Sequence, residues 1–195
     1  MTWQAVFWDL DGTLVKTEPL WEIAHAGVAA ELGGSLSAAT LAGLAGVDLA
    51  TSVDTVCAVA QRPVRRNDVT RRLLAAVADL YRRGVLILPG ALDALLTLYN
   101  RGVPMALVTN TSRELVDIVL ETLGSGWFTA EVCGDEVLNG KPSPEPYLRA
   151  AALLGVDPWQ CLAVEDSDHG VQSAQAAGCT VQRVRGRVPL LEPAA

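Results

Sequence analysis

The chain has 195 residues, a formal net charge of −7 and 50% hydrophobic residues, enough apolar material for one globular domain with an inserted subdomain. The acidic balance excludes a protein that binds nucleic acid or an anionic membrane through a general cationic surface. No apolar run is long enough to cross a bilayer, and Asp9 and Asp11 precede any possible signal-peptide core. We therefore expect a cytoplasmic protein with no membrane or nucleic-acid partner, and we expect a monomer.

Short apolar runs alternate with longer helical segments, which is the pattern of a parallel sheet covered by helices. The predicted strands are bounded by Gly, Pro, Asn or Asp and lie at residues 5–8, 105–109, 131–133, 161–164 and 180–184. The predicted helices are followed by glycines and lie at residues 90–100, 112–123, 144–154 and 168–177. The sequence thus predicts an α/β fold with a Rossmann-like, doubly wound parallel sheet.

Residues 17–84 break this alternation. They contain no convincing strand, are rich in Ala, Leu and Arg, and are interrupted by Gly33-Gly34, Gly43, Gly46 and Pro63. We interpret them as an all-helical cap subdomain inserted into a core that is formed by residues 1–16 and 85–195.

The first candidate motif follows the first predicted strand and contains Asp9 and Asp11. Residues two apart on an extended segment point the same way, and Gly12 permits a sharp turn after them. Two carboxylates 4–5 Å apart repel by roughly 3–4 kcal/mol, so the pair requires a cation or a shared proton, and Mg²⁺ suits such ligands. The alternative is a plain Asp-Gly turn that happens to contain a second Asp.

The second motif is residues 107–112, where a predicted strand runs into a helix start. The Thr109 hydroxyl and the backbone N–H groups at that helix N-terminus could hold an anionic oxygen. The alternative is purely structural, because Thr111 and Glu114 have the spacing of a capping box.

The third motif is residues 140–147, in which Lys141 stands between a glycine and several prolines. Ser143 and Pro144 have a structural explanation as the cap and the first residue of the next helix. Lys141 has no such explanation, and the alternative for it is an isolated surface lysine.

The fourth motif is an apolar strand that ends in Glu165 and Asp166. Either Asp166 or Asp168 could simply cap the next helix. However, this strand delivers further negative charge to the edge where Asp9 and Asp11 lie, and such a concentration of charge is tolerable with a metal ion.

These four motifs, in this order and at strand ends, resemble those of the haloacid dehalogenase superfamily of aspartate-dependent phosphohydrolases. The chain is similar to the branch with a helical cap between the first two motifs, which includes the β-phosphoglucomutase-like phosphatases. The resemblance covers essentially the whole chain, and it rests on residues 9–14, Thr109-Asn110, residues 140–147, and residues 164–167 with Gly170.

The resemblance implies a phosphoric monoester hydrolase that works through an aspartyl-phosphate intermediate. Asp9 would be the nucleophile and Asp11 the general acid and base. Thr109 would hydrogen-bond the transferring phosphoryl group, Lys141 would neutralise that group and Asp9, and Asn110 would join these two residues in binding the substrate.

The resemblance also implies Mg²⁺ as the cofactor. Its ligands would be the side chains of Asp9 and Asp166 and the backbone carbonyl of Asp11, with Glu165 as a further or water-mediated contact.

The expected substrate is a small phosphorylated metabolite, because an inserted cap can exclude solvent from the site. The chain departs from many relatives at Lys16, where they have Asp, and at the apolar residues 41–48, where the mutase relatives carry a basic, serine-containing loop. We therefore favour hydrolysis over a sugar phosphomutase of the β-phosphoglucomutase type.

Two competing hypotheses are a phosphoacceptor signalling module and a metal-independent dehalogenase.

Overall fold

A computed structural model describes residues 3–44 and 46–191. The chain divides into two compact units, with boundaries between Lys16 and Thr17 and between Val85 and Leu86. The first unit contains the sheet, and the described part of the second unit is helical.

The strands are β1 (Ala5–Trp8), β2 (Val15–Lys16), β3 (Leu86–Ile87), β4 (Met105–Val108), β5 (Ala130–Val132), β6 (Cys161–Glu165) and β7 (Thr180–Arg183). The α-helices are α1 (Glu18–Glu31), α2 (Ala38–Gly43), α3 (Leu49–Val59), α4 (Arg66–Arg83), α5 (Ala91–Asn100), α6 (Arg113–Leu123), α7 (Glu145–Leu154) and α8 (Asp168–Ala176). Short 3₁₀ turns lie at Gly134–Glu136 and Pro158–Gln160.

The main sheet has five parallel strands in the order β5-β4-β1-β6-β7. Successive strands first move outward from β1 through β4 to β5, and the chain then returns to the other side of β1 for β6 and β7. This order is that of a doubly wound Rossmann-like sheet, and the predicted fold class is confirmed. The reversal of direction creates a switch point between β1 and β6, where ligands of such sheets bind at the carboxyl ends of the strands.

The central strands are apolar on both sides because both of their faces are covered. Every residue of β1, β4 and β6 is buried, as expected for a parallel sheet between layers of helices. Helix α7 packs on β1, β4 and β5, and α8 packs on β6 and β7. The ring of Tyr147 on α7 lies 6.1 Å from that of Phe7 on β1, which anchors this helix above the centre of the sheet.

The structure differs from the predicted elements mainly at their ends. Strand β4 ends at Val108, β6 extends to Glu165, and α7 begins at Glu145, with Pro144 rather than Ser143 in the cap position. An antiparallel pair of short strands, β2 and β3, was not predicted. Two-residue strands are too short to show an alternating pattern.

Within the second unit, α1, α3 and α4 pack against one another. Their apolar side chains form one buried cluster, which contains Val28, Ala29, Leu32, Val53, Val56, Val69 and Leu73. The indole N–H of Trp21 on α1 donates a hydrogen bond to the Tyr81 hydroxyl on α4 at 3.0 Å. None of the described helices combines the length and apolar character that spanning a bilayer requires.

The buried histidine of α1 predicts a pH-dependent stability. His25 is 2% exposed, and neither ring nitrogen has a hydrogen-bond partner. Burial lowers the pKa of His25 from its ordinary value of 6.5, so the unfolded chain takes up a proton first as the pH falls. The contribution of this residue to the free energy of unfolding should be complete above pH 6.5 and should decrease below it.

Urea denaturation at several pH values measures this effect. His25→Leu should lose part of the wild-type decrease in the free energy of unfolding. His169→Gln, which changes the exposed histidine of the chain, should follow the wild-type curve. An unchanged pH dependence in His25→Leu would contradict the prediction.

Candidate active site

The carboxyl ends of three adjacent strands bring the predicted site residues to one edge of the sheet. Strand β1 lies between β4 and β6, with Trp8 level with Leu107 and Val164. Asp9 follows β1, and Thr109 follows β4. Glu165 is the last residue of β6, and Asp166 comes directly after it. These positions coincide with the switch point of the sheet.

Asp9, Glu165 and Asp166 form an acidic cluster, in which one carboxylate oxygen of each residue lies within 4.8 Å of those of the other two. Glu165 is fully buried and Asp9 is 6% exposed. The Asp9 backbone N–H donates to the Val164 carbonyl at 3.0 Å, which continues the β1–β6 pairing to the cluster itself. Three oxygen donors at this separation are a suitable ligand set for a hard divalent cation.

The acidic cluster faces a buried lysine. Lys141 Nζ donates to Asp9 Oδ1 at 2.7 Å and to Glu165 Oε1 at 2.5 Å, so the alternative of an isolated surface lysine is wrong. Burial alone would lower the pKa of Lys141, but the charges of Asp9 and Glu165 outweigh it and raise that pKa. Lys141 is therefore held as an ammonium ion against the cluster.

The electrostatics of Asp9 show the excess of negative charge. Burial and the neighbouring Glu165 carboxylate raise the pKa of Asp9 well above its ordinary value, and Lys141 offsets them only in part. Asp166 and Asp11 act in the same direction as Glu165. A further cation in this cluster would stabilise the ionised form of Asp9.

The side chain of Asn110 fixes the backbone of Lys141. Its Oδ1 accepts from the Lys141 N–H at 2.8 Å, and its Nδ2 donates to the Lys141 carbonyl at 3.2 Å. The loop passes so close that a Cβ on Gly140 would lie 2.7 Å from Asn110 Oδ1. Asn110 therefore links the end of β4 to the loop that carries the lysine, and its predicted contact with substrate remains a prediction.

Asp11 lies beside two threonines that follow β4. Its Oδ2 accepts a hydrogen bond from Thr111 Oγ1 at 2.6 Å, and Thr109 Oγ1 lies 3.5 Å from the same oxygen. Ser112, and not Thr111, is in the cap position of helix α6, and its side chain makes no capping hydrogen bond. The capping-box interpretation of Thr111 and Glu114 is therefore wrong. The Asp-Gly turn does exist, since Gly12 has a φ of 80°, and it coexists with the site.

Glu165 is held by groups that sequence reasoning did not assign. The Tyr147 hydroxyl donates to Glu165 Oε1 at 2.6 Å, and Ser167 Oγ lies 3.4 Å from Oε2. Ser167 also caps α8 by accepting from the Gly170 N–H, so neither Asp166 nor Asp168 is the cap. Tyr147 lies within the third motif, but nothing in the sequence distinguishes its hydroxyl from that of an ordinary core tyrosine.

Gly170 is required by the position of the Glu165 carboxylate. A Cβ on Gly170 would lie 2.0 Å from the carboxyl carbon, so Gly170→Ala must displace Glu165. We expect this change to cost about 1–3 kcal/mol of the free energy of unfolding, as for other overpacked sites. Urea denaturation provides the measurement.

The matched control is Gly27→Ala within α1, where an added Cβ meets nothing within 4 Å. That variant should gain about 0.5–1 kcal/mol through the higher helix propensity of alanine. Equal stability changes in the two variants would show that the space around Glu165 is not constrained.

Comparison with known proteins identifies the family. A model of the haloacid dehalogenase-like hydrolases matches residues 3–178. Hexitol phosphatase B of Escherichia coli K12 is 32% identical over 178 residues, which cover 89% of this chain and 79% of that protein. Phosphoglycolate phosphatase of the same strain is 38% identical over 114 residues, covering 55% and 45%. The crystal structure of CbbY from Rhodobacter sphaeroides in complex with phosphate has a TM-score of 0.83 and 26% identity, covering 95% and 88%.

The family match agrees with the doubly wound sheet and with the acidic residues and buried lysine at its switch point. The chain belongs to the haloacid dehalogenase-like hydrolase family. The family match and the phosphatase relatives confirm the predicted enzyme class, a phosphoric monoester hydrolase.

Proposed function

We propose that the chain is a Mg²⁺-dependent phosphatase of small phosphorylated metabolites that forms an aspartyl-phosphate on Asp9. The observation that carries the proposal is the position of Asp9, buried at the switch point, bonded to Lys141 and adjacent to Glu165 and Asp166. An anionic nucleophile next to an ammonium ion and a cation-binding oxygen cluster has the components that phosphoryl transfer needs.

The residues present fit a magnesium ion. The donors are carboxylate oxygens that lie within 4.8 Å of one another, and Lys141 contacts two of these three acids. The side chains of Asp9 and Asp166 and the Asp11 carbonyl would hold the ion, with Glu165, already bonded to Lys141 and Tyr147, contacting it through water. When bound, Mg²⁺ would neutralise negative charge on the phosphoryl oxygens and on Asp9.

The positions of the site residues suggest a reaction in two steps. An oxygen of Asp9 forms a bond to phosphorus as the bond from phosphorus to the ester oxygen breaks, and Asp11 gives its proton to the leaving alcohol. In the second half, Asp11 takes a proton from the water that attacks the aspartyl-phosphate, which releases phosphate and restores Asp9. Lys141 and the Thr109 hydroxyl stabilise the charge on the transferring group.

The substrate class is supported by the relatives. The chain is similar over most of its length to a hexitol phosphatase, so we propose hexitol phosphates and related short phosphorylated polyols or acids as substrates. The likeness to the β-phosphoglucomutase of Clostridium difficile, at 22% identity, concerns the fold. The apolar residues 41–48, of which Ala45 lies outside the described residues, favour hydrolysis over a mutase reaction that grips a second phosphate.

Phosphate release from a panel of esters tests this function. The panel contains hexitol 6-phosphates, phosphoglycolate, β-glucose 1-phosphate and p-nitrophenyl phosphate, each assayed with MgCl₂, with EDTA, and with EDTA followed by excess MgCl₂. We expect release that EDTA abolishes and MgCl₂ restores. Conversion of β-glucose 1-phosphate to the 6-phosphate would support the mutase hypothesis, and a phosphoenzyme without turnover would support the signalling module. A haloacid is assayed separately in EDTA, and halide release from it would support the dehalogenase.

A further inference from the structure

The hydroxyl of Thr111 makes the shorter of the two threonine contacts with Asp11. The distance from Thr111 Oγ1 to Asp11 Oδ2 is 2.6 Å, which is typical of a hydroxyl donating to a carboxylate. The corresponding distance from Thr109 Oγ1 is 3.5 Å, at the limit of a hydrogen bond. Asp11 is therefore anchored principally by Thr111 within this pair.

The backbone around Thr111 holds this hydroxyl in place. The Thr111 N–H donates to Thr109 Oγ1 at 3.1 Å, and the Thr111 carbonyl accepts from the Gly134 N–H at 2.9 Å. Gly134 can approach because it lacks a Cβ, which would lie 2.0 Å from the Asn110 carbonyl oxygen. The segment before α6 is thus fixed at both sides of Thr111, and its side chain is free of the capping role that the sequence pattern indicates.

The number of hydroxyl protons shows which of the two threonines can donate to Asp11 when substrate is bound. Thr109 has one hydroxyl proton, and the proposed function gives that proton to the transferring phosphoryl group. With substrate bound, Thr109 cannot also donate to Asp11, whereas Thr111 can. A carboxylate that must transfer a proton to a defined oxygen needs an orientation that persists during the reaction.

We propose that Thr111 is a positioning residue for the acid step: its hydroxyl orients the Asp11 carboxyl group toward the leaving-group oxygen. The inference rests on the proposed function. Thr111 holds Oδ2 of Asp11, and the acid step uses the proton that the proposed function assigns to Asp11. That proton moves to the ester oxygen as the bond to phosphorus breaks and the bond from Asp9 to phosphorus forms.

The test compares how Thr111→Val changes kcat/KM for esters with different leaving groups. A purely structural role of Thr111 would lower kcat/KM equally for all of them. An alkyl ester needs a proton donor to depart, whereas p-nitrophenolate departs readily without one. We therefore expect Thr111→Val, which keeps the shape and removes the hydroxyl, to lower kcat/KM for hexitol 6-phosphate and phosphoglycolate about 10–100-fold, toward the full effect of acid catalysis. For p-nitrophenyl phosphate the decrease should be less than about 3-fold.

Two further variants control the comparison. Thr111→Ser retains the hydroxyl and should recover wild-type kcat/KM for the alkyl esters. Ser112→Ala removes a neighbouring buried hydroxyl that has no hydrogen-bond partner, and it should leave both classes of ester unchanged. Thermal melts verify that all variants are folded.

A double-mutant cycle with Asp11→Asn then assigns the effect to Asp11. In that background no acid remains to be oriented, so Thr111→Val should cause little additional loss. Equal losses for alkyl and aryl esters, the same loss in the Asp11→Asn background, or no loss in an active enzyme would each overturn the inference while leaving the proposed function intact. A folded wild-type chain that hydrolyses none of these esters would overturn both.

Discussion

Replacing Asp9 with Asn should abolish phosphate release, because the amide oxygen cannot form the proposed bond to phosphorus. Loss of a nucleophile typically lowers kcat by about 10⁴-fold or more. The protein should remain folded, since burial and Glu165 raise the pKa of Asp9 and a neutral side chain of the same shape is tolerated there. Initial rates with p-nitrophenyl phosphate in MgCl₂ measure the activity, and a thermal melt measures the stability.

The control for this experiment is Asp168→Asn. Asp168 lies on α8, three residues beyond Glu165, and pairs with Arg183 at the surface, so its variant should keep wild-type turnover. Acid-quenched wild-type enzyme should carry a phosphate on the peptide that contains Asp9, and the Asp9→Asn enzyme should not. Turnover by Asp9→Asn at the wild-type rate would show that the nucleophile lies elsewhere.

Replacing Lys141 with Ala should produce the largest loss of stability among these variants. It removes the ammonium ion between Asp9 and Glu165 and leaves both carboxyl groups buried without it. Breaking a buried ion pair in this way costs about 3–5 kcal/mol. The same change should lower kcat about 10²–10³-fold, as for the loss of a preorganised charge in other active sites.

Two measurements distinguish the electrostatic effect of Lys141→Ala from a general loss of stability: the pH dependence of unfolding and the same substitution at a second lysine. Burial and Glu165 raise the pKa of Asp9, and removing Lys141 removes the charge that offsets them. The folded variant therefore retains a proton that the unfolded chain has lost, and the deficit should be smaller at pH 5 than at pH 8. Lys16→Ala, at the exposed lysine of β2, should change the free energy of unfolding by less than about 0.5 kcal/mol. A similar loss for both variants would contradict the proposed electrostatic role of Lys141.

The sheet was predictable because its buried strands are apolar runs bounded by chain breakers. Strand β1 was predicted with its observed bounds, and the remaining four strands of the main sheet differ by one residue at one or both ends. The β2–β3 pair was not predicted, because each strand has only two residues and is stabilised by pairing with the other strand rather than by its own sequence.

The site residues at the ends of strands could also be predicted from the sequence. Parallel strands have their carboxyl ends on one edge, so Asp9, Thr109, Glu165 and Asp166 had to lie near one another once their strands were adjacent. Lys141 is different, because it comes from a loop whose path no local pattern specifies. The resemblance to a known family, rather than physical reasoning, placed it beside Asp9.

Thr111, Tyr147 and Gly170 show what the sequence could not reveal. A capping box gave a sufficient local explanation of Thr111, and Tyr147 appeared only as the last residue of the third motif. Their partners, Asp11 and Glu165, are distant in the chain, and such pairs become visible only when the side chains are in place. Gly170 was named with the fourth motif, but the physical reason for a glycine there is visible only in the structure, where the Glu165 carboxylate lies at the position that its Cβ would occupy.

The central position of β1 also has a consequence for synthesis on the ribosome. Val6 pairs with Met105 on one side and with Leu162 on the other, so this apolar strand emerges long before either neighbour has been translated. At about 5–20 residues per second the second neighbour arrives about 8–30 seconds after it. The nascent chain thus presents both edges of this apolar strand until β4 has been translated, and the edge that pairs with β6 until β6 follows. During that time the incomplete chain is a target for chaperones that bind extended apolar segments.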